Sequence, residues 1–176
     1  ATITAYTLSA EPSGHVGSFA AAPATTTSID LSWTAAAGPP SGYLILQRTG
    51  AAPTGLPDDG SSYTVSDIIT DGTVAAIVTP GSGESATISS LSAGTTYHFV
   101  IIPFAWNGAN TQTYNYRTAS APAANATTIY AEPTTQASAL SFSLVGATGL
   151  TLDLTIGNGA NRIVLAHAGG AVDSHP

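Results

Sequence analysis

Four histidines, His15, His98, His167 and His175, are the side chains of this sequence that titrate nearest neutrality, so general acid–base chemistry would have to recruit one of them. A hydroxyl nucleophile needs such a base within reach and an acid to orient it. None of the four stands in or beside a Gly-x-Ser-x-Gly elbow. Gly81-Ser82-Gly83-Glu84-Ser85 has a superficial likeness to one, but it reads better as a hairpin turn entering a strand. Paired carboxylates would suit glycoside hydrolysis. Asp58 and Asp59 are adjacent, however, so their side chains diverge in an extended segment, and Glu84 is isolated among turn residues. No catalytic residue is expected, and the chain reads as a non-enzyme.

Binding chemistry has more to work with. Asp58, Asp59, Asp67 and Asp71 cluster in one stretch, and hard oxygen donors of this kind suit calcium. No Asp-x-Asp-x-Asp-Gly loop accompanies them, and Asp-Gly pairs are also what tight turns demand. The cofactor expectation is therefore none, with calcium at these four aspartates as the one metal to consider. Trp106, Tyr114 and Tyr116 lie in a late loop, where related sandwiches often place recognition residues, and their rings would let a sugar stack. The competing role for Tyr114 and Tyr116 is to pack at the base of that loop. Gly157-x-Gly159 joins two strands and opens no helix, so no helix N-terminus is available to hold a phosphate. Asn125-Ala126-Thr127 fits an N-glycosylation sequon, a pattern that arises often by chance.

The elements that must carry these groups are strands. Helix signals are almost missing, while short runs rich in β-branched residues alternate with Gly, Pro, Asn and Asp. Strands are expected at residues 17–21, 28–34, 43–49, 62–69, 73–79, 85–90, 96–103 and 117–128. Strands at this spacing suggest an antiparallel sandwich. Charged residues make up 7 %, no lysine is present, and ten acids oppose Arg48, Arg117 and Arg162 for a net charge of −7. That balance excludes a nucleic-acid partner, which needs clustered cations, and a basic membrane-binding patch. No apolar run approaches the ~18 residues of a membrane span. With no cysteine there are no disulfides or thiolate metal sites. The abundance of Thr, Ser, Ala and Gly is what secreted bacterial proteins show, and the chain is expected to be extracellular, at a cell surface.

Leu91-Ser92-Ala93-Gly94-Thr95-Thr96-Tyr97-His98-Phe99-Val100-Ile101 resembles the corner between the fifth and sixth strands of fibronectin type III domains, and Trp33 in Ile29-Asp30-Leu31-Ser32-Trp33 is similar to that family's buried second-strand tryptophan. Independently of the resemblance, Tyr97, Phe99 and Ile101 share one strand face by the period of two. Ile29, Leu31 and Trp33 would face them, and the Tyr97 hydroxyl can bond to backbone at the corner. Trp33, Tyr97, Phe99 and Ile101 are thus core candidates. Pro57-Asp58-Asp59-Gly60-Ser61-Ser62-Tyr63, Tyr114-Asn115-Tyr116-Arg117 and Gly157-Asn158-Gly159-Ala160-Asn161-Arg162 resemble elements of such repeats in large secreted and surface proteins of bacteria. In that setting the resemblance implies a structural or adhesive repeat.

The chain also repeats itself. Ala10-Glu11-Pro12 returns 121 residues later (132 minus 11) as Ala131-Glu132-Pro133, and residues 27–34 answer to residues 148–155. Residues 43–48 answer to residues 162–167, and Pro57 to Pro176, while residues 1–8 rhyme with residues 125–130. The expected organisation is a terminal or donor strand at 1–10, a whole fibronectin type III-like domain at 11–130, and the first three strands of a second at 131–176. Such a period signals an array. With no initiator Met and a start in mid-pattern, the chain is expected to be a processed product or part of something longer. Three strands and ~43 residues bury too little surface to stand alone. Phe142, Leu150, Leu152, Leu154, Ile163 and Leu165 would be left bare, and Ile3, Tyr6 and Leu8 belong to a strand available for donation. The expected partners are identical or tandem copies, with glycans or a cell surface as further candidates.

Overall fold

The computed structural model describes residues 5–81 and 83–172 and divides the chain into two compact units, Ala1–Tyr130 and Ala131–Pro176. Ile3, His175 and Pro176 lie outside the described residues. The described part of the first unit holds β1 (Gly17–Pro23), β2 (Ile29–Thr34), β3 (Gly42–Thr49), β4 (Ile68–Ile69), β5 (Gly72–Val78), β6 (Ser85–Ile88), β7 (Thr96–Ala105), β8 (Asn115–Tyr116) and β9 (Ala123–Thr127). One sheet runs β1-β2-β6. The other runs β4-β5-β3-β7-β8, with β9 also paired to β7. All pairings are antiparallel, and the fold is an immunoglobulin-like β-sandwich.

Side-chain alternation explains the inner core. In β2, Ile29, Leu31 and Trp33 are buried while Asp30, Ser32 and Thr34 face out. They meet Tyr43 and Ile45 of β3 and Tyr97, Phe99 and Ile101 of β7, with Val16, Ile88, Leu91 and Ala126 closing the cluster. Each fully buried large side chain here contributes about 1.5–3 kcal/mol of transfer free energy.

The β3–β7 pair carries a second core on its other face. The two strands pair without a break from Gly42↔Phe104 to Thr49↔Tyr97. Leu44, Leu46, Val100, Ile102 and Phe104 point outward from the sandwich, yet they are buried with Ile69, Val74 and Tyr116. Continuous apolar runs are what a strand covered on both faces looks like. The cover is the chain between β3 and β4 together with the loop after β7.

Three expected strands differ in the structure. The strand expected at 62–69 survives only as β4, because Asp67 turns the chain: its N–H bonds to Thr64 O and its carboxylate accepts from Thr64 N at 2.7 Å. The strand expected at 117–128 is split into β8 and β9. A turn closed by Ala121 N to Thr118 O, with Ser120 at φ 61°, interrupts it before Pro122, which has no N–H for a ladder. In the second unit β10 (Ser138–Ser143) and β11 (Thr151–Thr155) form a two-stranded sheet, but residues 162–167 form no strand. In the first unit the matching β3 is held between β5 and β7, and the described residues of the second unit supply neither neighbour.

The β10–β11 hairpin reproduces the β1–β2 register over all its pairs, ending one pair short of Pro23↔Ile29. Gly17↔Thr34 becomes Ser138↔Thr155 and Ala21↔Leu31 becomes Phe142↔Leu152, each 121 residues on. Even the bulge returns, with Ser18 at φ 50° and Ala139 at φ 51°. Leu150, Leu152 and Leu154 occupy the places of Ile29, Leu31 and Trp33. Leu150 is 58 % exposed and Phe142 61 %, whereas Ile29 is fully buried.

Candidate functional site

The aromatic side chains singled out from the sequence do converge. Phe104 lies next to the end of β7, Trp106 follows that strand, and a 3-10 turn at Thr111–Thr113 brings the chain back to Tyr114 and Tyr116. Asn107 shapes the loop, its Oδ1 accepting from Ala109 N and Asn110 N. Trp106 stacks on Tyr114 at 5.0 Å and 19°, and Tyr114 on Tyr116 at 5.8 Å and 16°. Phe104 lies against both tyrosines, and the Tyr63 ring meets Tyr116 edge-on at 5.9 Å.

This column is clasped to the β3–β4 insert. Tyr116 N donates to Asp59 Oδ1 at 2.7 Å, Gly60 N to Tyr114 O at 2.8 Å, and the Tyr116 hydroxyl to Ser61 O at 3.0 Å. Gly60 adopts φ 74°, which lets the insert turn back there. Burial, together with nearby Tyr114, Tyr63 and Asp59, pushes the Tyr116 phenol well above its usual range, and burial raises Tyr114 too. Both stay neutral at any physiological pH, so Tyr116 keeps the proton it donates to Ser61 O. Both ring faces of Tyr114 are spent on its neighbours and Tyr116 is only 4 % exposed, so Trp106 and Tyr63, each part-exposed, form the accessible rim.

The four aspartates have separate duties. Asp59 serves Tyr116, and Asp67 serves Thr64. Asp71 accepts from Thr54 N, Thr54 Oγ1, Gly55 N and Arg48 Nη1. The Asp58 main chain donates to the Tyr63 hydroxyl. Among the described residues no group of three or more His, Asp or Glu is placed to hold a metal ion.

The histidines are equally dispersed. His15 Nε2 meets Ala119 O at 2.7 Å, so that nitrogen carries the proton. His167 Nδ1 meets Ala171 O, and His98 sits part-buried on β7 opposite Arg48. Among the described residues no histidine bonds to a hydroxyl or carboxylate. Glu84 bonds to the Trp33 indole N–H at 3.0 Å, a role the sequence reading did not assign.

At the core, the Tyr97 hydroxyl accepts from Ser92 N at 3.0 Å, which makes the tyrosine corner, and Trp33, Phe99 and Ile101 are buried around it. The family model of the fibronectin type III domain matches residues 10–119, well over half of the chain. The chain belongs to the fibronectin type III family. Fibronectin type III domains are typically non-catalytic modules, common in extracellular proteins. Among solved structures the chain is similar to the fibronectin type III domain of human collagen XX (22 % identity over 65 % of this chain and 97 % of that one, TM-score 0.38). It is also similar to FN3tt (14 %, 66 % and 94 %, TM-score 0.42) and to the FN1–FN3 domains of chicken CNTN1 (15 %, 68 % and 33 %, TM-score 0.46). No curated protein matches. Among the described residues no helix is long and apolar enough to cross a membrane.

Proposed function

We propose that this fibronectin type III chain is a non-catalytic structural or adhesive repeat of a secreted bacterial protein, building a surface stalk or filament from tandem or strand-complemented sandwiches. The observation that carries this reading is the β10–β11 hairpin. It repeats the pairing and bulge of β1–β2 at a spacing of 121 residues, and on its core face Phe142 and Leu150 are exposed while Leu152 and Leu154 are only part-buried. In the first unit that face is covered by a whole second sheet. A copy left partly open is a request for the same kind of cover, supplied by more chain or by another copy. Repeated head to tail, such contacts build an open fibre. The part-exposed rim of Trp106 and Tyr63 is the place where a glycan or a cell surface would be met.

Electron microscopy of the native material, beside the mass of the denatured chain, tests the proposal. Filaments or stalks are expected. Subunits of 17.5 kDa would assign the cover to neighbouring copies, and one far heavier polypeptide would assign it to a tandem array. A discrete particle without fibres, cut from a polysaccharide-degrading enzyme or a protease, would overturn the proposal in favour of a spacer module.

A further inference from the structure

We infer that residues 113–119 are a built seat for the linker entering the domain, so that a preceding unit is held at a set angle and not on a free tether. This rests on the tandem reading above for its role, though not for its geometry. The two segments run side by side in the same direction, and four stretches of contact tie them. Ser9 N donates to Thr113 O at 2.9 Å, and Asn115 Nδ2 donates to Ser9 O at 2.8 Å. Arg117 Nη1 reaches both Glu11 Oε1 and Pro12 O at 3.2 Å. Further along, His15 Nε2 donates to Ala119 O. On its other side the linker is fixed by Ser13 Oγ to Ala37 O at 2.9 Å. Pro12 is buried, and Val16 at the end of the segment belongs to the inner core.

A tether meant to swing has a solvated backbone, whereas here the backbone of Ser9 and Pro12 is bonded to the seat. Two residues of the linker answer a need of the seat. Glu11 brings a carboxylate to the guanidinium, and Pro12 fixes φ while leaving its carbonyl free to accept. The same Ala-Glu-Pro triplet opens the second unit, where Glu132 is exposed and has no arginine partner among the described residues. In an array each unit would bring its own seat on the loop after its β7-like strand, and the joint would be the same at every step.

The chain has no cysteine, so spin labels can be placed at will. The full chain carrying Thr7→Cys and Ser32→Cys, both exposed sites, is labelled and the distance distribution read by pulsed electron–electron double resonance. A narrow distribution is expected, at least two-fold wider once Arg117→Gln is added. Glu11→Gln, which changes an exposed side chain and leaves the core alone, widens it to a lesser degree and carries the test should Arg117→Gln fail to fold. A parent distribution as broad as the variants', or variants as narrow as the parent, would overturn the seat. Neither result depends on what the native material looks like under the microscope, so the seat and the array fail separately.

Discussion

The carboxylate of Asp71 accepts four hydrogen bonds, from the Thr54 hydroxyl at 2.7 Å, Arg48 Nη1 at 2.8 Å, Thr54 N at 2.9 Å and Gly55 N at 3.1 Å. The Thr54 hydroxyl is the largest influence on it, followed by the Thr54 and Gly55 amides and the Arg48 charge. Together they hold its pKa at about 2, below the usual 3.8. The folded state therefore gains from this group above pH 3.8, and the gain drains away as the pH falls from 3.8 towards 2. Asp71→Asn should unfold at lower denaturant than the parent at pH 7, with the gap shrinking through that window. Denaturant melts at a series of pH values check it, and a gap independent of pH would count against the mechanism. Tyrosine hydroxyls at this scale pin backbone in the same way, Tyr97 on Ser92 N, Tyr43 on Ala36 N and Tyr63 on Asp58 N. Tyr97 was readable from sequence because its corner is local. Asp71 was not, because a carboxylate offered to calcium and one offered to amides sixteen and seventeen residues away look alike in a string of letters.

Between elements, the decisive contact is the clasp of the β3–β4 insert on the loop after β7. Asp59 and Tyr116 are 57 residues apart in sequence and 2.7 Å apart in space. Removing the acceptor leaves a part-buried N–H unpaired, so Asp59→Ala should cost about 1–3 kcal/mol. Asp59→Asn keeps an oxygen at the same place and should cost less. The denaturation midpoints of the two variants decide between a hydrogen-bonding and a purely electrostatic duty. The inner face of the sandwich was legible from alternation in Ile29-Asp30-Leu31-Ser32-Trp33. The outer core was legible only in part: the unbroken apolar run from Tyr43 to Leu46 is what a strand covered on both faces shows, but nothing in the run says which segments supply the cover. Nor could the sequence reveal that Tyr114 would turn its ring faces to Trp106 and Tyr116, because aromatic partners are chosen by folding and not by spacing.

The described residues hold one complete sandwich and the first hairpin of another, and the recurrence at 121 residues is visible in the sequence itself. The missing third strand of the second unit is not, because a strand exists only where neighbours accept its backbone bonds. The placement of the arginines has a consequence for digestion. Without lysine, trypsin has only three sites on this chain. The Arg48 guanidinium is paired to Asp71 from within β3, and that of Arg117 to Glu11 and Pro12, whereas Arg162 is exposed on backbone without regular structure. A protease must draw an extended stretch of substrate into its cleft, which a ladder-bonded strand resists and such backbone permits. Brief trypsin treatment of the native protein should cut once, after Arg162, and mass spectrometry should find the fragment 1–162 intact. An early cut after Arg117 would mean that the linker seat opens readily in solution. One exposed arginine outside regular structure offers a protease a place to cut while the first sandwich stays whole.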